Sequence, residues 1–287
     1  MAYNQNLTVR AALAQGSATL LASGIPSPVL DSEVLLAHVL GWNRTRLFAR
    51  PEYTLTQEQE QRYEACLARR QRHEPVPYIV GSREFYGLTF AVDRRVLIPR
   101  PETEQVVERA LESVSGGPIL IADVGTGSGI IAISLAVYLP LARVYAIDSS
   151  SDALEVAANN CRRHKLIERV RLLQGDLLEP LPESVDLIAA NLPYVPTPTL
   201  ATLDVDVRDY EPWQALDGGS DGLAQVARLL GQASRWLRPR GAVVLEIGAE
   251  QGERAACLAR DSFPGARVEV FQDFAGLDRV VRVRTPD

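Results

Sequence analysis

The sequence predicts an α/β protein whose main body is a seven-stranded, Rossmann-like, largely parallel sheet, preceded by a small all-α domain and a β-hairpin linker. Three observations carry this. After Pro101, short apolar runs alternate with helical segments, the pattern of strands buried on both faces by crossover helices. Before about His73, apolar residues recur only at helical intervals. Between Tyr78 and Ile98 the period falls towards two, at Phe85, Leu88, Phe90, Val92, Val96 and Ile98, with Gly81 and Gly87 as punctuation.

In the first region, Leu7–Ala22 reads as a helix stopped by Gly24, and Asp31–Leu40 as a second one stopped by Gly41. Thr56 with Gln59 three residues later is a capping box that opens a polar helix running to about Gln71. Pro75 and Pro77 then end helical structure. In the last region the strand candidates are Ile119–Val124, Arg143–Ile147, Val170–Leu173, Val185–Ala190, Ala242–Ile247, Val268–Phe271 and Val280–Val283. Helical patterns at Glu104–Val114, Ile130–Tyr138, Asp152–Arg163 and Leu223–Leu237 fill most gaps. Only Gln272–Arg279 separates the last two runs, too short for a crossover, so these pair antiparallel and one strand is reversed. The expected division is a helical domain over 1–75, a hairpin linker over 76–98 and an alternating strand–helix domain over 99–287.

Composition narrows the function classes. At 46% hydrophobic and 23% charged residues, the chain has the balance of a globular protein. A net charge of −6 argues against a general affinity for nucleic acid phosphate. Cys66, Cys161 and Cys257 are odd in number and widely spaced, which makes neither a metal set nor a disulfide framework and fits a reducing cytoplasm. Met1–Gly16 lacks a basic start followed by an apolar run, and no apolar stretch suits a membrane helix. No metal, membrane or direct nucleic-acid partner is therefore expected. His38, His73 and His164 are scattered and read as structural.

The first strand of the sheet ends in Asp123-Val-Gly125-Thr126-Gly127-Ser128-Gly129 and passes into a helix. Glycines here let the backbone turn tightly and approach a ligand. Asp148 closes the second strand nineteen residues after Gly129, close to the spacing at which an acid binds ribose hydroxyls. Asp176 follows the third strand, where it could hold an adenine amino group. With Asp123 the three acids form a row at successive strand ends. Such a row suits a cationic sulfonium and a diol and would repel a pyrophosphate.

The fourth strand ends in Asn191-Leu192-Pro193-Tyr194, which resembles the Asn-Pro-Pro-Tyr signature of amino methyltransferases. An amide nitrogen is a poor nucleophile because its lone pair is delocalised into the carbonyl. Two acceptors, the Asn191 side-chain oxygen and the Leu192 backbone carbonyl, can hold both N–H bonds and aim the nitrogen at a methyl group. Positioning and electrostatics then carry the reaction without a histidine base. The Tyr194 ring can pack against the flat substrate group and favour a cationic donor.

Further segments resemble the release-factor glutamine methyltransferases, the HemK/PrmC group. These are Gly81–Gly87, Val96–Glu104 with its Pro-Arg-Pro-Glu-Thr-Glu, Glu211–Leu223 with its Asp-Gly-Gly-Ser-Asp-Gly, and Leu245-Glu-Ile-Gly248. The resemblance covers nearly the whole chain. It implies transfer of methyl from S-adenosylmethionine to N5 of the glutamine in the Gly-Gly-Gln loop of peptide-chain release factors. It also implies that Gly125–Gly129, Asp148, Leu177 and Asn191 line the cofactor site and Asn191–Tyr194 the glutamine site. Leu192 departs from the family's proline, so the acceptor carbonyl survives but the loop loses one φ restraint. Two rivals share the fold: an adenine-N6 DNA methyltransferase and a non-catalytic cofactor-binding scaffold. Eight arginines against seven acids in the first eighty residues make no phosphate-binding footprint, and the intact Asn191 argues against abandoned catalysis.

Overall fold

The computed structural model describes residues 7–115 and 117–286, so residues 1–6 of the expected helical domain lie outside the described residues. The chain divides into two units, Met1–Gly81 with Asp204–Tyr210, and Ser82–Leu203 with Glu211–Asp287. In the first unit, α1 (Val9–Ala22), α2 (Pro28–Leu40), α3 (Arg44–Ala49), α4 (Gln57–Arg70) and α5 (Val76–Val80) surround a core that includes Val9, Leu20, Leu35, Leu36, Leu47 and Tyr63. The capping box forms: Gln59 N donates to Thr56 Oγ1 (3.2 Å) and Thr56 N to Gln59 Oε1 (2.9 Å). Helix α2 starts at Pro28, three residues before the sequence reading, because proline suits the first helical turn. Helices α3 and α5 have six and five residues, too few to display a helical period. Helix α5 lies where the sequence pattern suggested the linker.

The second unit opens with the hairpin β1 (Ser82–Phe85) and β2 (Leu88–Ala91). Tyr86 and Gly87 both take positive φ, 48° and 73°, the backbone of a two-residue turn matched to strand twist. Phe85 and Phe90 are buried in the main cluster on one face of the large sheet. The chain continues through α6 (Glu104–Leu111), β3 (Leu120–Val124), α7 (Ile130–Tyr138), β4 (Arg143–Asp148), α8 (Ser151–Arg163), β5 (Val170–Gln174) and β6 (Val185–Ala190).

Past β6 the chain contributes Asp204–Tyr210, with α9 (Val205–Arg208), to the helical unit. There the nearly buried Arg70 guanidinium bridges Asp31 (2.7 Å) and Asp206 (2.8 Å), and His73 Nδ1 lies 3.1 Å from Asp206. The Tyr210 hydroxyl donates to the Arg72 carbonyl. The chain re-enters the second unit at Glu211 and completes it with α10 (Ala224–Trp236), β7 (Leu237–Glu246), α11 (Gly252–Ser262), β8 (Arg267–Gln272) and β9 (Asp278–Arg284).

The seven large-sheet strands run in the order β5-β4-β3-β6-β7-β9-β8. All neighbouring pairs are parallel except those of β9, the reversed strand, with β7 and β8. Alternate residues of the central strands feed two clusters: Ile121, Leu187 and Val244 face one, Ala122, Ile188 and Val243 the other. Burial on both faces explains why these strands read as unbroken apolar runs. Among the described residues no helix is long and apolar enough to cross a membrane.

Candidate active site

Strand register brings the chemistry-bearing residues into one row. Val124 pairs with Ile147 and with Ala190, and Ala190 pairs with Leu245. The next residues, Gly125, Asp148, Asn191 and Glu246, therefore emerge side by side at the carboxyl edge. That edge, where the strand order turns outward on both sides of β3, is where open α/β sheets bind ligands.

A cavity of about 200 Å³ opens there. One wall is the turn Gly125–Ser128 with Asp148, Asp176, Leu177, Asn191, Leu192 and Pro193; the other includes Val96, Pro99, Arg100, Thr103 and Gln214. Gly125, Gly127 and Gly129 take φ of 72°, 55° and 85°, which side-chain-bearing residues rarely adopt. A Cβ on Gly127 would meet no protein atom nearer than 4.0 Å; it would fill space the cavity keeps open.

The three acids separate in role. Asp148 accepts from Gly127 N and Ser150 N, both at 2.9 Å, which locks its carboxylate at the cavity wall, while burial raises its pKa. Asp176 lines the cavity but is ion-paired with Arg228. Asp123 does not face the cavity. Its Oδ2 accepts from Thr126 Oγ1 (2.6 Å) and Ala132 N (3.0 Å), pinning the glycine turn from beneath, and burial pushes its carboxyl up to about 7. The expected row of three carboxylates thus reduces to one unpaired acid, Asp148. The wall's arginines are neutralised as well, Arg95 by Asp93 and Glu155 and Arg100 by the buried Glu211. Neither is left as a cation for a pyrophosphate.

The Asn191–Tyr194 loop is held from behind. Asn191 Nδ2 donates to Thr103 Oγ1 (3.0 Å), and among the described residues its Oδ1 makes no hydrogen bond within the protein. Tyr194 does not line the cavity: its hydroxyl donates to Glu246 Oε1 (3.2 Å), and burial raises its pKa. Gln251 Nε2 donates to the Tyr194 carbonyl (2.9 Å), Gly218 N to the Val195 carbonyl (2.8 Å) and Val195 N to the Leu216 carbonyl (3.0 Å). A Cβ on Gly222 would lie 2.2 Å from the Tyr194 carbonyl oxygen. The Asp-Gly-Gly-Ser-Asp-Gly stretch is thus a backbone mould for this loop. Thr103, Glu246 and Gln251 escaped the residue-by-residue reading. The signal for Glu246 was an acid within the otherwise apolar run Ala242–Ile247.

Leu192 is buried with Val124, Ile188 and Leu245 in the apolar cluster at this end of the sheet. Leu192→Pro adds a φ restraint but removes part of that packing. The expected result is a loss of roughly 1–3 kcal/mol, less than full truncation would cost, read as a melting temperature lowered by a few degrees. An unchanged or raised melting temperature would show that loop stiffness outweighs packing here.

None of the three histidines lines the cavity, and among the described residues no group of His, Cys, Asp and Glu could hold a metal ion. All three cysteines are free thiols.

Residues 11–81 match the family model described as PrmC N-terminal domain, and residues 118–271 match one described as methyltransferase domain. The release factor glutamine methyltransferase of Moorella thermoacetica is 46% identical, over 95% of this chain and 97% of that one. The protein of the same name from Nitratidesulfovibrio vulgaris is 37% identical, over 99% and 97%. Among solved structures, a methyltransferase from Pyrococcus furiosus superposes with a TM-score of 0.54 at 17% identity, over 71% of this chain and 91% of that one, a likeness of fold. The helical N-terminal region, the seven-stranded methyltransferase sheet and full-length similarity at such identity place this chain in the release factor glutamine methyltransferase family.

Proposed function

We propose that the cavity binds S-adenosylmethionine and that the enzyme methylates N5 of the glutamine in the Gly-Gly-Gln motif of peptide-chain release factors, its partners in the cytoplasm. The observation that carries the reading is Asn191. Its amide nitrogen is tied back to Thr103, which leaves its oxygen for a substrate N–H at the mouth of the glycine-lined cavity. The donor set suits the cofactor: Asp148 would offer a fixed carboxylate to a ribose diol, Gly127 leaves room for the cofactor to pass close to the turn, and Asp176 and Leu177, on the cavity wall, would hold the adenine. When bound, S-adenosylmethionine supplies the methyl group from its sulfonium and departs as a neutral thioether, while the amide gives up one proton to solvent. Asn191 Oδ1 and the Leu192 carbonyl hold the two amide N–H bonds. That hold fixes the direction of attack. Tyr194 braces this loop through Glu246, and Pro193 stiffens it. The helical unit recognises the body of the release factor.

The test uses labelled methyl donor with purified release factor, with the same factor carrying Gln→Leu in its Gly-Gly-Gln motif, and with duplex DNA. Label is expected on the intact factor alone; label on DNA would overturn the reading. For the cofactor, Asp148→Ala should weaken S-adenosylmethionine binding by about tenfold or more, the worth of a charge-assisted contact to a diol. Calorimetry giving an unchanged affinity would remove Asp148 from the site.

A further inference from the structure

Helix α8 carries a fully buried carboxamide, Asn160, on a face otherwise made of Ala153, Val156, Ala157 and Cys161. Such a group is costly there unless its hydrogen bonds are met. Asn160 Oδ1 accepts from Ala91 N at 2.7 Å, while Nδ2 donates to the Ala91 carbonyl at 3.0 Å and to the Ser128 carbonyl at 2.8 Å. Carbonyl oxygens only accept, so the NH₂ end must face both of them. Two of the three bonds serve the hairpin. Among the described residues the outer edge of β2 has no strand beside it, and the carboxamide takes that place at Ala91. His164, just past the end of α8, does the same at Thr89: its Nε2 donates to the Thr89 carbonyl at 3.0 Å, and its ring lies 5.2 Å from that of Phe90. The third bond of Asn160 serves a different end, because Ser128 belongs to the glycine turn and lines the cavity.

We propose that Asn160 is a positioning residue for the methyl donor: by holding the Ser128 carbonyl it sets the glycine turn and, through Gly127, the Asp148 carboxylate. Gly127 and Gly129 flank Ser128 with φ of 55° and 85°, a backbone that rotates at little steric cost. The orientation of the Ser128–Gly129 peptide must therefore come from its partners. Its N–H donates to the Thr126 carbonyl at 2.8 Å and its C=O accepts from Asn160. Losing the second leaves the peptide held at one end. Gly127 N donates to Asp148 Oδ2 at 2.9 Å, so a turn that shifts carries away one of the donors that fix that carboxylate. A hydrogen-bonded path thus runs from Ala91 through Asn160, the turn and Gly127 to Asp148. This inference rests on the reading of the cavity as the S-adenosylmethionine site.

His164 separates this role from a purely structural one. Both residues fasten the end of α8 to the edge of β2, but only Asn160 reaches the turn. Loss of either side chain should cost stability. Only the loss of Asn160 should reach the methyl donor, and it should do so by way of Asp148.

Calorimetry with S-adenosylmethionine on the full chain tests this. Asn160→Ala should weaken binding about fivefold or more, the worth of one net hydrogen bond, while His164→Ala stays within about twofold of wild type. Both variants should melt below wild type. In an Asp148→Ala background the effect of Asn160→Ala should shrink to within about twofold, because residues that act through one another are not additive. Wild type supplies a further readout, which stands even if Asn160→Ala does not fold. The thioether product, S-adenosylhomocysteine, should slow hydrogen exchange at the Ala91 amide about threefold more than at the Phe90 amide, since only Ala91 is joined to the turn. Unchanged affinity in Asn160→Ala, an equal loss in His164→Ala, additive losses with Asp148→Ala, or equal slowing at Ala91 and Phe90 would each overturn the proposal. Wild type that binds neither cofactor form would instead sink the cofactor reading. Whether Asn160 sets the turn is then decided in the free protein, where Asn160→Ala should lose hydrogen-exchange protection at Gly127 and Gly129.

Discussion

Asn191→Ala is expected to cut methyl transfer to release factor by about 10²–10³-fold, the scale seen when one preorganised polar contact to a reacting group is removed. The residue supplies what the amide nitrogen lacks, an acceptor fixed in place before the substrate arrives. Its cost to the fold should be small. Asn191 is partly exposed, and among the described residues its side chain makes one hydrogen bond, to Thr103, worth about 1 kcal/mol net. Cofactor binding should be affected far less than turnover, because Asp148 and the Gly125–Gly129 turn are held by their own partners: Gly127 and Ser150 for the first, Asp123 for the second. Single-turnover transfer to release factor, calorimetry with S-adenosylmethionine and thermal melting separate these effects. A variant that retains more than about a tenth of wild-type turnover would mean that the Leu192 carbonyl or the release factor itself orients the glutamine.

The central strands of the sheet were legible because both of their faces are buried. Six of the seven apolar runs coincide with strands to within two residues at each end. The exception, β7, begins at Leu237 rather than Ala242, since Arg238-Pro239-Arg240 has no apolar pattern and Val185↔Leu237 is the one pair that joins this stretch to β6. The reversed last strand followed from loop length alone. Local chemistry was legible too: the glycine turn, Asp148 at a strand end and the Asn191 loop are each defined by contiguous residues. The supports of that loop were not, because hydrogen bonds between Asn191 and Thr103, or Tyr194 and Glu246, exist only after distant strands are set in register. The row of acids failed for the same reason. Sequence places Asp123 at a strand end but does not say that its carboxylate turns under the loop to meet Thr126 and Ala132. Nor does any local pattern show that Asp204–Tyr210 leaves the catalytic unit to join the helical one.

That excursion gives the second large effect, on stability. Arg70→Met is expected to destabilise the helical unit by about 3 kcal/mol, the lower end of the loss when one partner of a buried ion pair is deleted. Asp206 is partly exposed and keeps His73 beside it, so it bears less of the penalty than Asp31. Asp31 already has its pKa raised by burial, with Arg70 the main opposing influence. Without the guanidinium that pKa rises further above the unfolded value. A carboxyl whose folded pKa is raised costs nothing at a pH below its unfolded pKa, and the cost grows as pH climbs through the folded one. The gap in melting temperature between wild type and Arg70→Met should therefore be widest at neutral pH and shrink as pH falls towards about 4. Adding Asp31→Asn should recover part of the loss at neutral pH, since the carboxylate it removes is the one left without a counter-ion. The second consequence is local: with Asp206 released, the chain between Leu203 and Glu211 should become accessible, and limited proteolysis of the folded variant should cut there. A gap independent of pH would show that the guanidinium matters as packing rather than charge, and protection from proteolysis would show that His73 at Asp206 and Tyr210 at the Arg72 carbonyl hold the segment without Arg70.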